Sequence, residues 1–107
     1  MGARVQMRVF TIRPGEMDAW VSEWRAKVRP LRERAGFRLL SAWTIPDRNQ
    51  FVWFLSYDGT EPFETADKRY YDSTARLGLD PDPARHVMEA RSWFVTPLNV
   101  EPWGGSE

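Results

Sequence analysis

The sequence predicts an α+β fold, a four-stranded antiparallel sheet of split βαβ topology with two helices on one face. Three observations predict it. Hydrophobic periods of two and of 3.6 alternate along the chain in the order strand, helix, strand, strand, helix, strand. Each change of period carries Pro, Gly, Asn or Asp as punctuation. The length, 107 residues, suits one domain and is short for two.

The elements follow in order. Gln6 to Ile12 is the first strand, with Met7, Val9 and Thr11 alternating against Arg8, Phe10 and Ile12. Pro14-Gly15 ends it, and Glu16 and Asp18 put negative charge at a helix start, where the dipole favours it. The first helix is expected from Glu16 to Ala35. Met17, Trp20, Val21, Trp24, Val28, Leu31 and Ala35 form its apolar stripe, which makes Trp20 and Trp24 core residues. Glu23 with Lys27 and Arg29 with Glu33 are spaced for ion pairs on the exposed face. Arg32 and Arg34 suit the C-terminal end, and Gly36 is the expected residue of positive φ after it. Pro30 lacks an N–H and is expected to kink the last turns.

Phe37 to Ile45 and Gln50 to Tyr57 form a hairpin around the turn Pro46 to Asn49. Thr60 is placed to cap a second helix, Glu61 to Thr74, with Pro62 in its first turn and Phe63, Ala66 and Tyr70 buried. Gly78 to Pro83 is a loop, Pro83 opens a short turn through His86, and Ala90 to Thr96 is the fourth strand. Residues 1–97 therefore form the domain. Residues 98–107 are expected to form an extended or loose tail in which Trp103 is a candidate anchor.

Composition removes several functional classes. Lys plus Arg and Asp plus Glu both count 15, and a zero net charge argues against a nucleic-acid partner. No cysteine is present, so disulfides and thiolate chemistry are out. A single histidine cannot build a multi-histidine zinc site within one chain. No long apolar run is present, so neither a signal peptide nor a membrane span is expected, and the expected location is cytoplasmic. Arginine outnumbers lysine heavily, as a GC-rich bacterial genome would leave it. No cofactor motif, phosphate-binding glycine loop or nucleophile elbow appears.

The sheet is apolar on both sides. Phe37, Leu39, Trp43 and Ile45 are expected on one side of the second strand, with Leu40 and Ala42 on the other. In the third strand Phe51, Trp53, Leu55 and Tyr57 oppose Val52 and Phe54, and in the fourth Phe94 opposes Trp93 and Val95. Helices cover only one face. Four strands cover roughly 400 Å², and an exposed apolar patch of that size marks an interaction surface. Covering it contributes on the order of 10 kcal/mol gross per subunit. The simplest cover is a second copy, giving a homodimeric eight-stranded α/β barrel that holds packed side chains or one small ligand. The other cover is the chain's own C-terminal tail, in a monomer.

Particular stretches now carry a family resemblance. Arg8 to Gly15 (RVFTIRPG), Arg29 to Phe37 (RPLRERAGF), Trp43-Thr44-Ile45 and Asn49 to Trp53 (NQFVW) resemble the NIPSNAP family of the ferredoxin-like, ABM-type dimeric α/β-barrel superfamily. The resemblance covers about residues 5 to 97. It implies the same homodimer, and it implies kinship with cofactor-free monooxygenases, polyketide cyclases and haem-handling enzymes. Family members tend to carry Tyr and then Ser-Pro-Glu-Trp after the second helix; here Tyr71 is followed by Asp72-Ser73-Thr74-Ala75.

Candidate residues each have a functional and a structural reading. Histidine is the side chain whose unperturbed pKa lies near neutrality, so His86 is a candidate general base, or haem ligand, with Asp82 or Glu89 to orient it; otherwise it is a surface histidine. Of Tyr70 and Tyr71, one is expected in the core and the other, Tyr71 by preference, offers its phenol at the barrel mouth. Trp43, Trp53 and Trp93 either wall an aromatic ligand or fill the barrel. Arg38 and Arg91 either meet a ligand carboxylate or form edge ion pairs. Two functions remain. One is a cofactor-independent enzyme, cyclase- or monooxygenase-like, acting on a hydrophobic or aromatic metabolite. The other is a non-catalytic dimer that binds a metabolite or a protein.

Overall fold

A computed structural model describes residues 4–98. It contains β1 (Val5–Ile12), α1 (Met17–Glu23), α2 (Arg29–Arg34), β2 (Phe37–Ile45), β3 (Gln50–Tyr57), α3 (Phe63–Asp72), α4 (Thr74–Leu77) and β4 (Val87–Val95). The strands form one antiparallel sheet in the order β2-β3-β1-β4, which is the expected split βαβ fold. The helices cover one face. The tail from residue 99 on, with Trp103, lies outside the described residues.

The predicted first helix is one continuous rod with an internal π-helical stretch, Trp24–Val28, between α1 and α2. Its stripe explains why. Trp20, Trp24, Val28 and Arg32 recur every four residues, and all four are buried. In a pure α-helix, residues four apart drift by about 40° per step, so four of them would wind off the sheet. The wider π turn takes up the drift and keeps the row facing inward. The Arg29 N–H bonds to the Trp24 carbonyl, and Pro30 follows within the first turn of α2. The expected kink at Pro30 is therefore a π insertion just before it. Gly36 then ends the helix at φ 95.

The second predicted helix divides. Ser73 is extended, and its hydroxyl accepts from the Arg76 N–H and so caps α4. Thr60 does not cap α3; Pro62 occupies the cap position, with no side-chain bond. The last strand starts at Val87, three residues before the expected Ala90, because β4 pairs with β1 up to Ile12.

The two faces separate cleanly in β1, where Gln6, Arg8, Phe10 and Ile12 are buried beneath the helices and Val5, Met7, Val9 and Thr11 face away. Phe51, Trp53 and Leu55 extend the helix-side layer across β3. Trp24 meets Phe51 and Trp53 edge to face, with ring centres 5.1 and 5.7 Å apart. Such pairs add about 0.5–1.5 kcal/mol beyond area burial.

β2 corrects one expectation. A bulge lies between Leu39 and Ser41, so the alternation changes parity there. Phe37 and Leu39 face the helices, but Trp43 pairs across Val52 and lies on the open face. The expectation that Phe37 and Trp43 share a side fails for that reason. Trp43 is 63% exposed and Trp93, paired across Met7, is 48% exposed.

Candidate functional site

The site is built around two arginines whose local positions follow from the two periodicities. Arg8 alternates inward on β1, and Arg32 occupies the fourth position of the buried helical row. Asp67 and Tyr71, one helical turn apart on α3, reach them from the other side. A single Asp67 oxygen, Oδ1, accepts from Arg8 Nη2 at 2.8 Å and from Arg32 Nη1 at 2.7 Å. Arg8 also donates from Nε to Gln6 at 2.6 Å and from Nη1 to the Tyr71 hydroxyl at 3.0 Å. Arg32 is 1% exposed, and its guanidinium centre lies 3.9 Å from the Tyr70 ring centre and 4.6 Å from that of Phe37. Sequence reading placed Arg32 at the C-terminal end of the helix for its charge; the structure buries it in the core as the fourth member of the helical row.

Beside this cluster a cleft of about 140 Å³ opens between the sheet, both helical layers and the Pro83 turn. Phe10, Trp20, Trp53, Tyr70 and Tyr71 give it aromatic walls, and Arg32 and Arg76 line it too. Several polar atoms of these lining residues are buried with no hydrogen-bond partner among the described residues. They are Trp20 Nε1, Trp53 Nε1, the Tyr70 hydroxyl, and Nε and Nη2 of Arg32. Buried polar groups are nearly always paired in native proteins, by protein, water or ligand, so this concentration of unpaired atoms on the residues of one cleft makes it the candidate site. Burial pushes the Tyr70 phenol above its usual pKa, which keeps it protonated and able to donate. A larger groove of about 710 Å³ lies along α1 and β2, lined by Met17, Arg25 and Thr44 among others. It is open, and none of its lining side chains is a buried ionisable group.

The predicted site residues fall into three places. Trp53, Tyr70 and Tyr71 come together in the cleft. Trp43, Trp93, Arg38 and Arg91 lie on the open face, where Arg38 pairs with Asp58 at 3.5 Å and Arg91 with Glu89 at 3.1 Å. His86 is elsewhere again, buried at 5% exposure on the turn before β4.

His86 is neither a surface residue nor oriented by Asp82 or Glu89. Its Nδ1 lies 2.7 Å from Glu16 and its Nε2 3.0 Å from Glu23. Glu23 also receives Arg85, in a two-bond pair. The expected Glu23–Lys27 pair is replaced by this long-range one. The hydrogen bonds from Glu23 and Glu16 raise the His86 pKa above its ordinary value. The Arg85 bond, more than that of His86, lowers Glu23 to about 2. Asp82 instead caps the Pro83 turn through the Ala84 N–H and pairs with Arg76. Among the described residues no three His, Asp or Glu side chains cluster as metal ligands would, and no helix is long and apolar enough to cross a membrane.

Sequence reading missed Arg8, Arg32, Asp67 and Gln6. One signal for Arg32 was available: it continues the four-residue spacing of Trp20, Trp24 and Val28.

Comparison with known proteins agrees with this architecture. The NIPSNAP family model matches residues 5–99. An uncharacterized NIPSNAP domain protein from Burkholderia xenovorans superposes with a TM-score of 0.76 at 19% identity, covering 92% of this chain and 98% of that one. A NIPSNAP family protein from Agrobacterium tumefaciens gives 0.79 at 13% identity, covering 94% and 98%. A putative antibiotic biosynthesis monooxygenase from Nitrosomonas europaea gives 0.62 at 12% identity, covering 90% and 99%. No curated protein matches the chain. At these identities the structural likeness speaks for the fold.

Proposed function

The chain belongs to the NIPSNAP family, and from that premise we propose that it binds a small hydrophobic or aromatic metabolite in the cleft between helices and sheet, as a homodimeric α/β barrel and a cofactor-independent enzyme. One observation carries the reading: the aromatic residues that wall this cleft, together with Arg32, also hold buried polar atoms without partners among the described residues. Pockets of this kind, mostly apolar with a few convergent polar groups, are the usual form of a ligand site.

The cleft lies on the helix side of the sheet, away from the face that would line the barrel. The roles divide accordingly. Trp53 and Trp20 wall the ligand. Tyr70, Arg32 and the indole N–H groups serve as donors that stabilise an oxygen gaining negative charge, as in a cyclase- or monooxygenase-like enolisation. Tyr71 accepts from Arg8, which leaves its own O–H free to donate, so Tyr71 handles the proton. His86 holds the Pro83 turn against α1 and acts on the site only through that turn. The open face, with Trp43 and Trp93 outward, meets a second copy of itself. Sedimentation at micromolar concentration is expected to show twice the chain mass, and a lone subunit would remove the barrel.

The alternative is a metabolite- or protein-binding module without turnover. It is favoured by the engagement of both His86 ring nitrogens, which denies the cleft an imidazole base.

The location of the site is tested with phenol as probe, followed through the indole N–H resonances. Phenol is expected to shift Trp20 and Trp53. Shifts confined to Trp43 and Trp93 would put the ligand inside the barrel and overturn the reading.

A further inference from the structure

The charge and unpaired donors of the residues at and behind the cleft wall specify its ligand more closely. Two guanidiniums, Arg8 and Arg32, share one carboxylate, Asp67. The third cation at the wall, Arg76, is matched by Asp82. The inner cluster therefore holds one positive charge more than it holds negative, and a buried charge without a counter-charge is expensive. The aromatic faces of Tyr70 and Phe37 offset part of that cost by cation–π attraction.

The unsatisfied atoms agree with the charge. Arg32 uses Nη1 for Asp67, while Nε and Nη2 have no partner among the described residues. Those two N–H groups form one edge of the planar guanidinium, with parallel donors spaced to fit the two oxygens of a carboxylate. The indole nitrogens of Trp20 and Trp53 can only donate, so they too ask for acceptor atoms.

Size completes the description. The cleft measures about 140 Å³, and an apolar cavity of about 150 Å³ takes one benzene ring. Its walls are aromatic edges and faces suited to edge-to-face contact with a ring.

We propose that the cleft binds a single-ring aromatic acid, with its carboxylate on the Nε–Nη2 edge of Arg32 and its ring among Trp20, Trp53 and Tyr70. The proposal rests on the helix-side cleft being the ligand site, and it adds the charge and size of the ligand. Benzoate is the probe, with benzamide as its neutral isostere and acetate as the acid without a ring. Calorimetric titration of the full chain is expected to show benzoate binding at least tenfold tighter than either. Arg32→Lys, which keeps the charge and loses the flat edge, is expected to abolish the preference over benzamide. Asp67→Asn leaves a second unpaired cation, so benzoate is expected to raise its melting temperature more than that of the wild type.

Equal affinity for benzoate and benzamide would overturn the acid while leaving the cleft in place. Acetate as tight as benzoate would overturn the ring. No binding by any of the three would overturn the proposal, while the cleft itself stands or falls with the phenol shifts at Trp20 and Trp53. Should Arg32→Lys fail to fold, Asp67→Asn decides alone: a benzoate shift no larger than in the wild type overturns the proposal.

Discussion

β1 shows both faces of the sheet at once. Beneath the helices, Gln6, Arg8, Phe10 and Ile12 are buried; on the other side, Val5, Met7, Val9 and Thr11 are only partly covered. Both faces carry tryptophan. On the helix side Trp53 is 1% exposed, while outside Trp43 and Trp93 stand in solvent. The helix-side layer has its cover in the same chain, so its side chains are held in fixed contact. That rigidity lets two charged arginines be held inside, one against Gln6, Asp67 and Tyr71 and the other against Asp67 and the Tyr70 ring. The open face has apolar area without such an arrangement: its arginines, Arg38 and Arg91, reach exposed carboxylates. Apolar richness is thus common to both faces, and buried polar groups gather only where covered side chains hold them in place.

Three perturbations press on that contrast, in falling order of effect. Trp53→Ala should cost about 3–5 kcal/mol in urea unfolding, through loss of transfer energy and a cavity left in a packed layer. Trp43→Ala should leave the subunit within about 0.5 kcal/mol, as an exposed substitution does, and act on association instead. Equal losses for the two would erase the distinction between the faces.

The second concerns the clasp at His86, which ties the Pro83 turn to α1. A histidine with a raised folded pKa stabilises fully below its unfolded value, and that contribution is lost as pH rises through the folded one. Glu23, lowered to about 2, stabilises above its ordinary value near 4.5, and that contribution is lost as pH falls toward 2. The clasp is therefore strongest at about pH 5 to 6. Wild-type thermal stability is expected to peak in that window and decline by pH 8.5, and His86→Gln should flatten the alkaline decline. A decline of the same size in the variant would remove His86 as its cause.

The smallest effects are expected on the outer face. Arg38→Gln and Arg91→Gln each break an exposed ion pair, worth about 0–1 kcal/mol. Neither should change phenol binding. A tenfold loss in either variant would return the ligand to the open face.

How far the residues alone foretold this differs between fold and site. Strand and helix order follow from periodicity, and the breaks follow from Pro14-Gly15, Gly36 and Pro46 to Asn49, which act locally. Trp20, Trp24, Phe63, Ala66 and Tyr70 take their expected core places because one amphipathic stripe decides each of them. Trp43 leaves the side it was expected to share with Phe37, since the bulge after Leu39 reverses the parity on which that assignment depended. Tyr71 is brought to the cleft with Tyr70, while His86 is drawn aside by two carboxylates, one on α1 and one just before it, more than sixty positions away in the chain.

The pattern of side chains along the chain therefore determines which segments are strands and helices, their order, and the surplus of apolar surface on both sides of the sheet. Those properties rest on interactions between near neighbours. Tertiary structure alone decides that Arg8, Arg32 and Asp67 meet, that Trp43 faces outward, and that His86 is a clasp. Each of these needs groups from distant segments, or a one-residue shift in register, and nothing local encodes where a guanidinium will find its carboxylate.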